Sequence, residues 1–164
     1  MDDPRKIVFN EIRTLRFNVL YYKALVDRYR KWDNRIKIFV AIAASSAVAA
    51  WIGEMQIIQL KTIFVNAWKI LSLIAAILSI ISPFLKYDTK IKDASGFYSS
   101  YAIIWTELES VYLVTQDKKR LVEAWSKARE SLKNLNAAEH SIEDDESLKE
   151  EIFQKVLKEY ENKY

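Results

Sequence analysis

The side chains that could carry acid–base, metal or nucleophilic chemistry are few and poorly spaced for it. The single histidine, His140, stands between Glu139 and Ser141. A general base needs a positioned partner in a pocket, and a polar stretch offers none, so His140 reads as a solvated ring. The run Glu143-Asp144-Asp145-Glu146 could hold a divalent cation, but it lacks the glycine and alternate-oxygen spacing of a calcium loop. It reads better as the acidic start of a helix. There is no cysteine, which excludes disulfides, thiolate metal sites and cysteine nucleophiles. Two glycines cannot furnish a phosphate-cradling loop. The chain is therefore read as no enzyme, without metal or cofactor.

The elements that carry these residues follow from composition. The 164 residues have room for about one domain. Hydrophobic residues make up 51% and charged residues 29%, so the two kinds must be segregated. Two glycines and two prolines are a poor supply of turn residues for a β protein. A net charge of +3 is too small to suggest a nucleic-acid partner. An all-α fold is expected.

Two stretches hold the segregated apolar residues: Ile38 to Gly53 and Ile70 to Leu85, neither with a charge. At about 1.5 Å per helical residue each reaches roughly 24 Å, short of the roughly 30 Å hydrocarbon core. Both can be lengthened. The first gains Ile36 if Arg35 and Lys37 snorkel, and the second extends back through Phe64, with Lys69 near an interface. Spans over about 36–53 and 64–85, joined by a short loop from Glu54 to Lys61, make a transmembrane hairpin. A soluble bundle is the competing reading, but neither run keeps the polar face a bundle helix turns to water.

The flanks fit a bilayer. Trp51 and Trp68 fall near one interface, Trp32, Phe84 and Tyr87 near the other. The expected anchors are Trp32, Arg35, Lys37, Trp51, Trp68, Lys86 and Tyr87. Lys23, Arg28, Arg30 and Lys31 also precede the first span, and Lys90 and Lys92 follow the second. The positive-inside bias places both termini in the cytoplasm. Met1-Asp2-Asp3-Pro4 has no apolar h-region, so no signal peptide is expected.

Amphipathic cytoplasmic helices flank the hairpin. Asp3-Pro4 reads as an N-cap with proline at the first helical position. Val8, Ile12, Leu15, Val19, Tyr22, Val26 and Tyr29 then form a heptad seam, with Arg5, Lys6, Arg13, Arg16 and Lys23 off it. This helix is expected to stop near Asp33-Asn34, with Asn34 capping the first span. Pro83 should break or kink the second span, and Asp93 or Ser95 should cap the next helix. Tyr98, Tyr101, Trp105, Leu108 and Tyr112 predict its seam. Beyond Asp117-Lys118-Lys119-Arg120 the pattern resumes, shifted, at Leu121, Trp125, Ala128, Leu132 and Leu135, which suggests a stutter or bend. Asn134 to Glu146 reads as a loop. A last helix then begins at Asp145 or Ser147, with Leu148, Ile152, Phe153, Val156, Leu157, Tyr160 and Tyr164 apolar.

These seams mean helix packing first. The aromatic content of 13% also makes Tyr22, Tyr29, Tyr101, Trp105, Tyr112 and Trp125 candidates for contacts between subunits of a homo-oligomer. Within the hairpin, Ser72, Ala75, Ala76, Ser79, Ser82 and Pro83 share one side of the second span, and Ala43, Ala44, Ser46, Ala47 and Ala50 recur on the first. Small residues let spans pack closely. Ser46, Ser72, Ser79 and Ser82 could instead line a water path, which two spans per chain form only as an oligomer.

This layout resembles the SLATT domains, two-transmembrane effectors associated with bacterial nucleotide-signalling and other conflict systems. The resemblance covers most of the chain. It rests on a first helix ending in Arg28, Arg30, Lys31, Arg35 and Lys37, a tight hairpin, and a long helix carrying Gly96-Phe97-Tyr98 through Trp105-Thr106-Glu107-Leu108-Glu109. It implies an inner-membrane effector of antiphage defence. On a signal from an upstream nucleotide-signalling enzyme or sensor, such an effector permeabilises the membrane and halts the infected cell (abortive infection). No fused sensing domain is evident, so the trigger is expected to come from a separate protein or to act on the helical cytoplasmic part itself, and the family lends no active-site residues.

The organisation expected is 1–33 as N-terminal cytoplasmic helix, 34–86 as hairpin and 87–164 as C-terminal helical region, all one unit in the lipid bilayer. An oligomeric, membrane-permeabilising effector is the leading function. A non-conducting anchor that recruits a cytoplasmic partner is the alternative, and a soluble helical regulator the third.

Overall fold

The computed structural model describes residues 3–43, 45, 58–139 and 145–161. Helix accounts for 95% of them, and no described residue is in a strand. Five helices are described: α1 Pro4–Ala43, α2 Ile58–Leu85, α3 Tyr87–Val114, α4 Lys118–Glu139 and α5 Glu146–Glu161.

Local chemistry sets most of the boundaries. Asp3 caps α1 as expected: the Arg5 amide donates to Asp3 Oδ1 at 3.4 Å and the Lys6 amide to its carbonyl at 2.9 Å. The stop expected at Asp33-Asn34 does not occur, and α1 continues to Ala43. Asp33 is buried there, and its carboxylate accepts from Lys37 Nζ, one turn on, at 2.6 Å. A side chain paired along the helix is not competing for backbone amides, so Asp33 does not interrupt it.

Pro83 lies inside α2, and the helix ends two residues later. Proline here costs only the amide that would reach the Ser79 carbonyl, in a turn that already leaves carbonyls unpartnered. The break falls at Lys86, whose φ of 49° is left-handed and ends the helix as a C-terminal cap residue. Because α3 starts directly at Tyr87, Asp93 and Ser95 lie within it and cap nothing. Asp88 is the acid of its first turn.

The expected stutter is a true helix end. Residues 115–117 leave the helix, and Asp117 caps α4 by accepting the Lys119 amide at 2.9 Å. The loop expected from Asn134 starts late, since α4 runs to Glu139 through Leu135, Ala137 and Ala138, good helix formers. His140, Glu143 and Asp144 lie outside the described residues. Asp145 caps α5, accepting the Leu148 amide at 3.1 Å.

The chain divides into two compact units, residues 1–27 with 90–164 and residues 28–89. The first is built on the α1 seam: Val8, Ile12, Leu15, Val19, Tyr22 and Val26 are buried as predicted, with Tyr21 and Leu25 widening the stripe. In α3 the buried line is Ala94, Phe97, Tyr101, Ile104 and Leu108. The predicted seam holds at Tyr101 and Leu108 only; Tyr98 is exposed, while Trp105 and Tyr112 sit at the edge. Arginines cover that edge, with Arg16 4.6 Å from the Trp105 ring centroid and Arg5 4.9 Å from that of Tyr112. Leu121 and Ala128 of α4 are buried, as are Leu148, Ile152, Val156 and Tyr160 of α5. Phe153 is exposed, against expectation, and Tyr164 lies outside the described residues.

Aromatic rings and ion pairs join these helices. Tyr22 stacks on Phe97 and Tyr101 at centroid distances of 5.2 and 5.5 Å, and Phe9 meets Tyr160 edge-on at 5.6 Å. Each such pair contributes about 0.5–1.5 kcal/mol beyond its buried area. Arg16 also grips Glu159 of α5 as a fork, Nη2 to Oε1 at 3.0 Å and Nε to Oε2 at 3.3 Å. One side chain thus links α1, α3 and α5. The Trp125 indole donates to Glu11 at 3.4 Å, and the Asp145 amide to the Tyr21 hydroxyl at 3.1 Å.

Candidate membrane-spanning surface

In the second unit, α2 is apolar nearly all round and covered by little. Ile63, Ile70, Leu73, Ile80 and Phe84 are each more than 60% exposed. Only 6% of the most apolar eighteen-residue window is buried. Fully burying a Leu, Ile or Phe side chain is worth about 1.5–3 kcal/mol. Leaving this many in water forgoes on the order of 10 kcal/mol, comparable to the whole net stability of a domain. The helix is long and apolar enough to cross a membrane.

Its charges sit where a span tolerates them. The 28 residues of α2 reach about 42 Å at about 1.5 Å each. Lys69 and Lys86, both exposed, bracket the charge-free stretch Ile70 to Leu85. That stretch is about 24 Å long, and lysine stems at each end extend the span toward the roughly 30 Å core.

One strip of α2 is less exposed. Val65, Trp68, Ser72, Ser82 and Leu85 are half-buried around Ala75, which is buried. The hydroxyl of Ser79, an exposed residue, donates to the Ala75 carbonyl at 2.8 Å, so its polar group is satisfied within its own helix. The end of α1 has the same grading: Ala43 is buried, Ile36, Phe39 and Val40 half-buried, Ile38 and Ile42 exposed. Ser46 and Trp51 lie outside the described residues, as does most of the expected first span beyond Ala43.

The expected anchors take up distinct roles. Trp32 is 48% exposed, with the Arg35 guanidinium 5.5 Å from its ring centroid. Lys37 pairs with Asp33, and Tyr87 meets Tyr29 at 6.3 Å. Of the candidates for contacts between subunits, Tyr22 and Tyr101 are 2% and 1% exposed and stack on each other within one chain. Tyr29, Trp105, Tyr112 and Trp125 are half-buried. Reading the sequence missed the buried Asp33; its spacing of four to Lys37 was the available signal. Among the described residues no group of three or more histidine or acidic side chains could hold a metal ion.

Comparison with protein-family models, curated proteins and solved structures returned no match to the chain. The class is therefore defined by the helices alone: an all-helical protein with a helix fit to span a membrane.

Proposed function

We propose that the protein is integral to the bacterial inner membrane through a hairpin of 36–53 and 64–85, and acts there as an oligomeric effector that permeabilises the membrane on an upstream signal. The observation that carries the membrane part is the exposed apolar surface of α2, bracketed by Lys69 and Lys86. The effector role rests on the resemblance to SLATT domains and on the serines beside Ala75. Dye leakage from liposomes tests it: reconstituted protein releases dye well above an inert membrane-protein control once triggered. Leakage no greater than that control under any induction overturns the effector role. Extraction into plain buffer as a monodisperse species overturns the membrane part.

A second reading has its own observation. Ser72 and Ser82 flank buried Ala75, and the Ser79 hydroxyl is bonded to its own backbone, which is how small residues serve span packing. That favours a non-conducting anchor whose cytoplasmic helices recruit a partner. An anchor keeps its activity when the hairpin is exchanged for an unrelated one; a permeabilising effector loses it.

A further inference from the structure

We propose that the second unit, at the end where α2 leaves its apolar stretch, carries a cation cluster that binds anionic phospholipid headgroups. This rests on α2 lying in a membrane and names the lipid it selects there. Six cations stand at that end of the unit, Arg28, Arg30, Lys31, Arg35, Lys37 and Lys86, against two acids, Asp33 and Asp88. One acid is already taken, since buried Asp33 accepts from Lys37 Nζ at 2.6 Å. Arg30, Lys31, Arg35 and Lys86 are exposed, and among the described residues none of the four has an acidic partner. Asp27 stands four residues before Lys31, the spacing of a helix ion pair, and forms none with it.

Geometry puts these charges at one depth. The Tyr29 and Tyr87 rings lie 6.3 Å apart, which brings the α1 turn from Arg28 to Lys31 beside Lys86, the first residue past α2. Phe84, 78% exposed, is the last exposed apolar side chain of α2, so the cations begin where its apolar surface stops. From Arg30 to Arg35 the helix rises about 7.5 Å, close to the roughly 5–7 Å of one headgroup layer. Trp32, 48% exposed, stands among them, and an indole ring settles at the same level of a bilayer. Surplus cations beside exposed apolar side chains match a phosphate that arrives with hydrocarbon attached. A soluble anion would answer the charge and leave Phe84 and Trp32 uncovered. An orientation bias alone needs charge on one side of a span; it requires neither a common depth nor freedom from acids.

The test reconstitutes the full chain in phosphatidylcholine vesicles with a trace of spin-labelled phosphatidylglycerol or spin-labelled phosphatidylcholine. The readout is the motionally restricted fraction of each label in its electron paramagnetic resonance spectrum. Phosphatidylglycerol should be preferred about threefold or more at low salt, and the preference should all but vanish in about 1 M salt, where the Debye length is about 3 Å. Combining Arg30→Gln, Lys31→Gln and Arg35→Gln, all at exposed positions, should abolish the preference and leave the phosphatidylcholine fraction unchanged. Lys119→Gln, Arg120→Gln and Lys133→Gln together, exposed on α4 and equal in charge removed, should keep it. Inorganic phosphate should lower it no more than chloride at matched ionic strength. The proposal falls if the two lipids are held alike, if the first triple variant keeps the preference, if the α4 variant loses it as well, or if inorganic phosphate displaces the lipid. A restricted fraction missing for both labels would instead take α2 out of the membrane, and the headgroup site with it.

Discussion

The rings of Tyr22 and Tyr101 lie 5.5 Å apart and 7° from parallel, both all but sealed from solvent. They join the first helix to the third across more than seventy residues of sequence. Tyr101→Ala should therefore lower the unfolding free energy by about 3–5 kcal/mol, the range for emptying an aromatic site in a core. Tyr101→Phe keeps the stack and should cost under about 1.5 kcal/mol. Denaturant melts in detergent, followed by near-ultraviolet circular dichroism, separate the two.

Arg16 holds Glu159 with two nitrogens and covers the Trp105 ring. Arg16→Lys keeps the charge but loses the fork and the flat contact, and should cost about 1–2 kcal/mol. A double-mutant cycle with Glu159→Gln should give a coupling of about 0.5–1 kcal/mol, discounted because both side chains are partly in solvent and reduced further by salt. Zero coupling at low salt would make the contact incidental.

Gly96 lies on an exposed part of α3, and a Cβ there would meet nothing within 4 Å. Gly96→Ala should raise stability by about 0.5–1 kcal/mol, since no turn or close approach requires the glycine. At Lys86 the opposite logic holds. Its left-handed φ should make Lys86→Gly stabilising and Lys86→Val destabilising, each by about 1 kcal/mol. Thermal melts of the three variants check the signs.

A charge in the middle of α2 should oppose insertion. Ile77→Arg places a guanidinium at an exposed position well inside the stretch between Lys69 and Lys86, at a cost of about 2.5–3.5 kcal/mol on insertion scales. The membrane-bound fraction after alkaline extraction should fall sharply, while Ile77→Leu leaves it unchanged. Equal extraction of both would place α2 outside the hydrocarbon.

Helices and their seams were legible wherever one face decided the matter. Val8 to Val26 alternate by three and four, and burial followed. Asp3, Asp117 and Asp145 carried cap chemistry, although the cap at Asp117 became evident only once the chain left the helix there. The seam of α3 was misread because aromatic residues stand at two adjacent phases. Periodicity weighs Tyr98, Trp105 and Tyr112 like any apolar residue, but Tyr98 is exposed, and the flat faces of Trp105 and Tyr112 let them take the edge under arginines while Ala94 and Ile104 go inside. Asp33 was misread as a stop because a helix-breaking tendency and a side-chain pair one turn away look alike until the pair is seen.

In the bilayer proposed for it, hydrocarbon would solvate isoleucine as readily as a neighbouring isoleucine does, so the outward side chains of α2 would supply no drive for copies or spans to adhere. Cohesion would have to come from how tightly backbones can approach, which makes the single methyl of Ala75 a limit on separation rather than a filler. Enlarging it to Ile should push neighbours apart and loosen whatever assembly exists, whereas reshaping the oily exterior at Ile80 should pass unnoticed.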